Sequence, residues 1–425
     1  MAVDKTSFVF PTLLKRIGWK VVLLLLLFLP FQFNIYHRMN LPNHFLWVDE
    51  IFIVFAFTLF LFILLHQGKI SKDANRIFTS LLFFSIIGIV SGLFNFNSFA
   101  ITTNGIFDYI KNFLAIPVFC LFSVTEKKVS GLYKILHRLA LFLCLVAILQ
   151  VIAFFLGLPL SKIGFPFAAV RFGLPRTPSL MGHYNIFGLY ALFFFTLDFS
   201  LYRRIRWQNL LLALGVFLSI SRMVWVAFFL VILIFLLRKK SMPAFILFLV
   251  GLLLMVISVA PFLGHTALEM GSGGGYFRGY ALSKSLEIWR DHPLLGVGPG
   301  MYGGIVSLVF NSSIYALYDF SPYWFNYIES IGSLDQFLPQ IMAEMGLLGV
   351  LSFGFLLFTL WRIARKASLV ATGHFRKEML FGFSIIPIVL ALYLLGSGLN
   401  LTAFLLTYSV LFGMVLGMKN ENTAC

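Results

Sequence analysis

The 425-residue sequence has few charged residues, since Asp, Glu, Lys and Arg make up only 11% of it and 16 residues are acidic. A water-soluble protein of this length needs a charged surface, so this scarcity excludes an ordinary soluble enzyme. Hydrophobic residues make up 60% of the chain, 52 residues are phenylalanine, and the mean hydropathy is +0.95. These values predict a membrane protein.

The sequence also has little that would bind a metal or form disulfides. It contains three cysteines; Cys120 and Cys144 lie in apolar runs and Cys425 is terminal, which argues against a disulfide framework or a metal cluster. No two of the eight histidines have the spacing of metal ligands on one helix face. No Gly-x-Ser-x-Gly element is present to position a serine nucleophile. We therefore predict no metal and no cofactor.

What the sequence does have is a series of long apolar runs. They recur at about 20 residues, the length at which a helix crosses a hydrocarbon core. The runs are continuously apolar and do not alternate with polar residues, which favours helices over a β-barrel. They predict an all-α, polytopic membrane protein that forms a single domain over residues 1–425. The twelve predicted spans cover residues 18–35, 46–66, 77–94, 106–123, 135–157, 183–201, 208–220, 222–237, 243–263, 335–361, 379–395 and 398–417.

The net charge of +16 follows the predicted topology. With the N-terminus inside, every loop on that side carries lysine or arginine, as expected for cytoplasmic loops. This distribution predicts that both termini are cytoplasmic, and it leaves no reason to expect nucleic-acid binding. The basic inside segments include 15–20, 69–76, 127–138, 203–206, 238–240 and 362–377.

A few arginines depart from this rule and fall on the outside. Arginine binds phosphate through a planar fork of donors, so an external group of arginines beside a membrane indicates an anionic ligand such as a lipid phosphate or pyrophosphate. The alternative is that they are interfacial anchors for bulk headgroups. The candidates within three external segments are Arg171, Arg176, Arg222, Arg278 and Arg290.

The longest polar interval is a predicted external loop over residues 264–334. Within it, 276–291 has a half-polar pattern that predicts a helix lying on the membrane surface or packing on the bundle. Pro293 prevents its continuation. Aromatic residues crowd 315–327, which indicates an interfacial belt, with stacking on sugar rings as the alternative. The predicted apolar positions of the loop helix are Ala281, Leu282, Leu286 and Trp289.

Two carboxylates follow this loop. Asp335 opens the next predicted span, near the external arginines, where it could accept a proton from a hydroxyl as a general base. The alternative for Asp335 is a helix N-cap, for which aspartate is among the preferred residues. Glu344 lies deeper in the span, where it either orders the site or hydrogen-bonds within the bundle. A regular helix would place the two on opposite faces.

These motifs resemble the O-antigen ligase and Wzy-type polysaccharide polymerase family. Arg176, Gly182-His183-Tyr184-Asn185 and Ser221-Arg222 are similar to its earlier elements. The more specific elements are Arg278, then Trp289-Arg290-Asp291-His292-Pro293-Leu294-Leu295-Gly296-Val297-Gly298, then Asp335-Gln336-Phe337 and Glu344-Met345-Gly346-Leu347-Leu348-Gly349.

The resemblance implies a metal-independent glycosyltransferase on the outer face of the bacterial inner membrane. The donor would be a glycan on undecaprenyl pyrophosphate, and the acceptor another lipid-linked glycan. Arg222 and Arg278 would bind the pyrophosphate, with Arg176 and Arg290 as further candidates. Asp335, Arg278 and Glu344 would be the catalytic residues, with Asp335 helping to activate the acceptor hydroxyl. The equivalent position in ligases resembles a histidine, so Asp335 favours a polymerase.

Three functions are consistent with these motifs. A polymerase would transfer glycan from undecaprenyl pyrophosphate to the sugar hydroxyl of another lipid-linked repeat unit, with inversion of the anomeric carbon. A chain-length regulator protein is a further candidate partner. A ligase would use a different acceptor. A transporter or flippase of lipid-linked oligosaccharide would need charges along its spans, whereas only Glu344 and Asp198 are expected within or at the end of a span.

Overall fold

Long helices dominate the computed structural model, which describes residues 12–39, 41–42, 45, 47–67, 71–122, 124–158, 170–171, 173–239, 277–331, 334, 336–395, 398–399 and 401–418. A two-residue antiparallel pair, β1 (Val170–Arg171) and β2 (Leu174–Pro175), precedes α7. The helices are α1 (Thr12–Met39), α2 (Val48–Gln67), α3 (Lys72–Phe94), α4 (Phe99–Ile110), α5 (Ala115–Cys120), α6 (Glu126–Phe155), α7 (Tyr184–Tyr202), α8 (Trp207–Leu218), α9 (Arg222–Lys239), α10 (Phe277–Asp291), α11 (Ile305–Val309), α12 (Ile314–Leu317), α13 (Pro322–Ile331), α14 (Phe337–Val370), α15 (His374–Leu394) and α16 (Thr402–Leu416).

Within the described ranges, five helices are long and apolar enough to cross a membrane: α3, α6, α7, α14 and α15. Shorter apolar helices include α8 and α16. The prediction of an all-α protein with several spans is thus confirmed, while the count of twelve stays a prediction. The predicted span 243–263 lies outside the described residues.

The predicted span 106–123 is wrong as a single helix. α4 ends at Ile110, a turn follows, and α5 begins at Ala115. Lys111 occupies the turn, where its ammonium group lies 2.8 Å from a carboxylate oxygen of Asp108 and 2.9 Å from one of Glu50. A half-buried lysine can be tolerated at this depth because two carboxylates neutralise it.

The bundle packs around one large apolar core. α14 packs against α15 and α3, α7 packs against α8 and α15, and α16 packs against α5. Aromatic rings fill much of the interior; Phe193, for example, contacts both Phe404 and Phe383. A largely apolar interior is expected for membrane spans that contact other spans as well as lipid.

Buried charge in the bundle is more extensive than expected, because Glu378 joins Asp198 as a buried carboxylate. Asp198 contacts the side chains of Asn209 at 2.8 Å and Arg206 at 3.7 Å. Glu378 pairs with Arg203 and with Arg238. Both carboxylates therefore lie beside the basic segments predicted to be cytoplasmic. The sequence could not separate Glu378 from a solvated charge because it stands among the basic residues of that loop.

Residues 277–334 form a second, smaller core beside the bundle. Its buried side chains include Phe277, Ala281, Ile288, Tyr302, Tyr315, Tyr318, Phe320 and Ile328. The predicted aromatic belt is therefore wrong for Tyr315, Tyr318 and Phe320, which pack inside the loop. Tyr323, by contrast, is exposed. These bulky aromatics pack with aliphatic side chains of the loop and give it a core of its own.

The predicted loop helix is confirmed as α10, but its buried face differs from the predicted one. Ala281 is buried as expected, and Ile288 is buried with it. Leu282 and Leu286 are exposed, and Trp289 is only partly covered. The reason is that Ala281, Ser285 and Ile288 already form a stripe at helical spacing, and small residues allow the helix to approach the loop core closely.

Candidate active site

The segment that carries Arg176 is fixed to the helix bundle by polar contacts. The Thr177 amide and hydroxyl both donate to the carbonyl of Leu218, at 3.2 and 2.8 Å. The Gln150 amide donates to the Ser179 carbonyl and accepts from the Ser179 amide, both at 3.0 Å. Because irregular backbone at this depth lacks a ladder of its own, these bonds hold the segment in one conformation.

The contact between Thr177 and Leu218 lies next to the turn that precedes Arg222. α8 ends at Leu218 and α9 begins at Arg222, so the predicted tight turn between the two short helices is confirmed. Ile220 adopts φ +46° in this turn. A β-branched residue in the left-handed region is an outlier that costs about 1–3 kcal/mol and is typically found at functional sites. Arg222 is half-buried in the first turn of α9.

Arg176 and the turn before Arg222 are thus brought together. Thr177 adjoins Arg176 in the chain, and its partner Leu218 lies four residues before Arg222. The Arg176 guanidinium stacks on the Tyr184 ring, 3.3 Å from the ring centroid. His183 caps α7 by accepting from the Asn185 amide. The structure thus joins the segment of Arg176 to the turn before Arg222, and a shared anion site for the two arginines stays a prediction.

A second part of the site is a break in α14. Gly346 has φ +61° and ψ −158°, which interrupts the helix immediately after Met345. The segment from Pro293 to Gly298 enters the break and forms four backbone hydrogen bonds of 2.7–3.1 Å with it. The amides of Val297 and Gly298 donate to the carbonyls of Ala343 and Glu344, and the amides of Leu347 and Leu348 donate to the carbonyls of Pro293 and Leu294.

These bonds replace those that the helix would have made with itself. In an unbroken helix the amides of Leu347 and Leu348 would donate to the carbonyls of Ala343 and Glu344. The inserted segment supplies partners for all four groups, so the broken helix leaves none of them unpaired in the membrane. The Gly-Val-Gly element therefore belongs to a turn that inserts into the broken helix.

Glu344 fixes this insertion with its side chain. Its carboxylate accepts from the Tyr109 hydroxyl at 2.6 Å and from the Tyr302 amide at 2.9 Å. The side chain is fully buried. With one donor on each oxygen and no exposure, the environment supports the structural alternative for Glu344, while a catalytic role for it stays a prediction.

Sequence reasoning missed the polar end of α3, which holds the insertion from the other side. Three side chains of this region donate to consecutive carbonyls of the inserted segment. The pairs are Ser91 to Leu295, Asn95 to Gly296 at 2.9 Å, and Asn97 to Val297 at 2.7 Å. The available signal was the run of asparagine and serine that closes an apolar span.

Tyr302 and Tyr315 are held by hydrogen bonds inside the loop. The Tyr315 hydroxyl accepts from the Gly303 amide at 2.8 Å and shares a hydrogen bond with Ser307. Burial raises the pKa of Tyr315 to about 12, so its hydroxyl stays protonated near neutral pH. The Tyr302 hydroxyl donates to the Ala281 carbonyl at 2.8 Å. Both side chains position the loop.

The other predicted site residues are Arg290, Arg278 and Asp335. Arg290 is 78% exposed, and its guanidinium lies 3.5 Å from the Asp291 carboxylate. Arg278 lies in the first turn of α10, and Asp335 lies outside the described residues. α10 packs against α14, so the helix that carries Arg278 and Arg290 is joined to the one that carries Glu344.

The apolar helices and the polar insertion define a multi-pass membrane protein. Residues 207–354 match the family model described as O-antigen ligase. Over these residues the chain is similar to that family, and the resemblance is confirmed for the motifs that lie within the matched segment. The matched segment includes Arg222, Arg278, Asp335 and Glu344, whereas Arg176 precedes it. The comparison with curated proteins finds no match.

Proposed function

We propose that the protein is a glycosyltransferase of the polymerase type, which transfers a glycan from undecaprenyl pyrophosphate to a sugar hydroxyl of another lipid-linked repeat unit. The observation that carries the proposal is the hydrogen-bonded contact between the Arg176 segment and the turn before Arg222. This contact supports the proposal because it joins the segment of Arg176 to the turn before Arg222, and Arg222 lies within the residues that match the O-antigen ligase model.

The chemistry needs positioned charge more than it needs a strong nucleophile. The acceptor hydroxyl oxygen forms a bond to the anomeric carbon as the bond from that carbon to the pyrophosphate oxygen breaks. Arg222 and Arg278, with Arg176 and Arg290 as further contributors, would stabilise the charge that develops on the leaving pyrophosphate. Asp335 would take the hydroxyl proton. Direct displacement inverts the anomeric centre, and neither step calls for a metal.

The proposed setting is the inner membrane of a bacterium, with twelve spans, cytoplasmic termini and the site on the periplasmic side. Loop 264–334 would then cover the site from the periplasm. The membrane would deliver both the donor and the acceptor through their lipid tails, and a chain-length regulator is a further proposed partner. The basic segments beside Asp198 and Glu378 agree with a cytoplasmic placement of that end.

A ligase is the alternative that a specific observation favours, because the matching family model is described as O-antigen ligase. Ligase and polymerase share the donor and differ in the acceptor. Asp335, at the position where a histidine is expected in ligases, favours the polymerase. The acceptor found attached to the product separates the two.

The proposed donor site is tested by removing its arginines. We expect Arg222→Ala and Arg278→Ala each to reduce polymer formation by about 10-fold to 100-fold, because a hydrogen bond to a charged group is worth about 1.5–3 kcal/mol. The measurement uses purified protein in detergent with undecaprenyl-pyrophosphate-linked repeat units and a chelator, and resolves the glycan ladder on a gel.

Arg204→Ala is the matched control, because Arg204 is exposed beside the basic segments predicted to be cytoplasmic. It should form the same ladder as the unmodified protein. All variants must first show equal yield and equal thermal stability. Normal polymer in well-folded Arg222→Ala and Arg278→Ala variants would contradict the proposed site. A single transfer to an added acceptor, without a ladder, would identify a ligase.

A further inference from the structure

One face of α10 is open, apolar and basic; we name it the interfacial face and define it by Leu282, Leu286, Trp289 and Arg290. The opposite face, with Ala281 and Ile288, packs into the loop core. Leu282 and Leu286 are exposed one turn apart, and Arg290 follows Leu286 by another turn. A soluble loop has no reason to present two leucines on the exposed side of a helix that already has a buried face.

The two acidic groups of α10 are paired with neighbouring side chains. The Glu287 carboxylate pairs with the Lys284 ammonium at 3.1 Å, and that ammonium also donates to the Tyr318 carbonyl at 2.7 Å. The Tyr318 hydroxyl donates to the Asp291 carboxylate at 3.2 Å. The leucines share their side of the helix with the guanidinium of Arg290, which is 78% exposed and lies 3.5 Å from the Asp291 carboxylate. Such a face is complementary to a membrane surface, where apolar acyl chains adjoin anionic headgroups.

The interfacial face is also continuous with a lipid-facing surface. The Trp289 indole donates to the Pro293 carbonyl at 3.0 Å, which joins the end of α10 to the inserted segment. The next residue, Leu294, is 60% exposed, and its carbonyl accepts from the Leu348 amide. From there, exposed hydrophobic side chains continue along the span α14 at Leu347, Leu348, Leu351, Phe355 and Phe358.

We infer that α10 lies in the headgroup region of the bilayer, with Leu282, Leu286 and Trp289 at the acyl boundary and Arg290 on the phosphate of an anionic phospholipid. The apolar surface of α14 would face lipid, and Leu294 together with the Trp289–Pro293 hydrogen bond joins it to the end of α10. The surface that α10 contacts is therefore the membrane leaflet at the end of α14 nearest to the loop. This inference does not depend on the glycosyltransferase proposal, because it concerns how the loop is held on the membrane.

The experiment measures the depth of single nitroxide labels on the full-length protein in vesicles of phosphatidylethanolamine and phosphatidylglycerol. Leu282→Cys and Leu286→Cys are made after the native cysteines are replaced by serine. Glu287→Cys provides a matched control on the polar side of the same helix, where the Glu287 side chain is 41% exposed. We expect the labels at 282 and 286 to be relaxed by oxygen at least about tenfold more effectively than by a water-soluble nickel chelate. The label at 287 should show the reverse preference.

Two results would overturn the inference. If the labels at 282 and 286 are as accessible to the nickel chelate as the label at 287, the interfacial face is open to water. If they are shielded from both reagents, protein covers the face, either a second copy or another part of this chain. Each variant must unfold at the same temperature as the cysteine-free protein, so that a misfolded loop is not mistaken for an exposed one.

The role of Arg290 is tested by exchanging the anionic lipid. In vesicles of phosphatidylcholine alone, the label at 286 should lie closer to the water, because the guanidinium lacks an anionic headgroup. Arg290→Gln should produce the same change in vesicles that contain phosphatidylglycerol. An equal depth of the label in both lipids and in both variants would contradict the assignment of Arg290 to lipid phosphate.

Discussion

Glu344→Ala is expected to leave little folded protein and no glycan polymer. The substitution removes the acceptor of the Tyr109 hydroxyl and of the Tyr302 amide, both of which are buried. Each buried donor left without a partner costs about 1–3 kcal/mol, and the vacated volume adds to the loss. We expect a lower yield of monodisperse protein and a fall of several degrees in the temperature of thermal unfolding in detergent.

Glu344→Gln separates a structural role from a chemical one. Glutamine has the same shape, and its amide oxygen can still accept from the Tyr302 amide. We expect this variant to unfold near the temperature of the unmodified protein and to retain most of the polymer ladder. A Glu344→Gln protein that folds normally yet forms no polymer would show that the carboxylate acts in the reaction. That result would contradict the structural role that the contacts of Glu344 support.

Tyr109→Phe provides a second test of the same contact. It removes only the hydroxyl that donates to Glu344 and keeps the ring, which packs against Phe84 and Phe337. The expected loss of stability is smaller than for Glu344→Ala, since one hydrogen bond is lost instead of two. If the loss in Tyr109→Phe equals that in Glu344→Ala, the Tyr302 amide does not depend on the carboxylate.

The features that sequence predicted well are those with local signals. The apolar periodicity and the proline at 293 located α10 to within one residue of its start. Two serines around an isoleucine predicted the turn between α8 and α9. Such features can be predicted because they depend on residues that are neighbours in the sequence.

Other features depend on contacts that are distant in sequence, and these were missed. The break at Gly346 is possible because residues 293–298 supply the missing partners from some 50 residues earlier in the chain. The choice of buried face on α10 depends on the loop aromatics that follow it. A hydrophobic pattern identifies which residues can be buried but not which neighbour will bury them. In the candidate site, the arginine segments were predicted, whereas the contacts that join them through Thr177 and Leu218 were not.

The two parts of the site share one physical principle. Irregular backbone within a membrane domain is stable only where protein groups satisfy its amides and carbonyls. The Arg176 segment meets this condition through Gln150 and Leu218, and the inserted segment meets it through α14 and the end of α3. Rigid non-helical segments of this kind allow backbone and side chains to be directed at a substrate from within the bundle.

Gly346→Val is expected to have the largest effect on the fold. At φ +61°, a β-branched residue is strongly disfavoured, which alone costs more than about 1–2 kcal/mol. In addition, a Cβ atom at this position would lie 2.5 Å from the Leu294 carbonyl carbon and 2.8 Å from the Gly296 nitrogen. These are backbone atoms of the insertion, so relief of the clash would break the hydrogen bonds that fill the gap in α14. We expect loss of folded protein in detergent extracts and, with it, loss of polymer.

Gly354→Val is the matched control, because it makes the same substitution eight residues further along α14. A Cβ atom at Gly354 would meet no atom within 4 Å, and the position has helical geometry and faces outward. Its cost should be limited to the lower helix propensity of valine, offset by the removal of a helical glycine. Comparable yield and thermal stability for the two variants would mean that α14 tolerates a regular turn at Gly346 and that the inserted segment is not essential to the fold. If Gly354→Val folds normally and Gly346→Val misfolds, residues 293–304 need the break in α14 in order to fold.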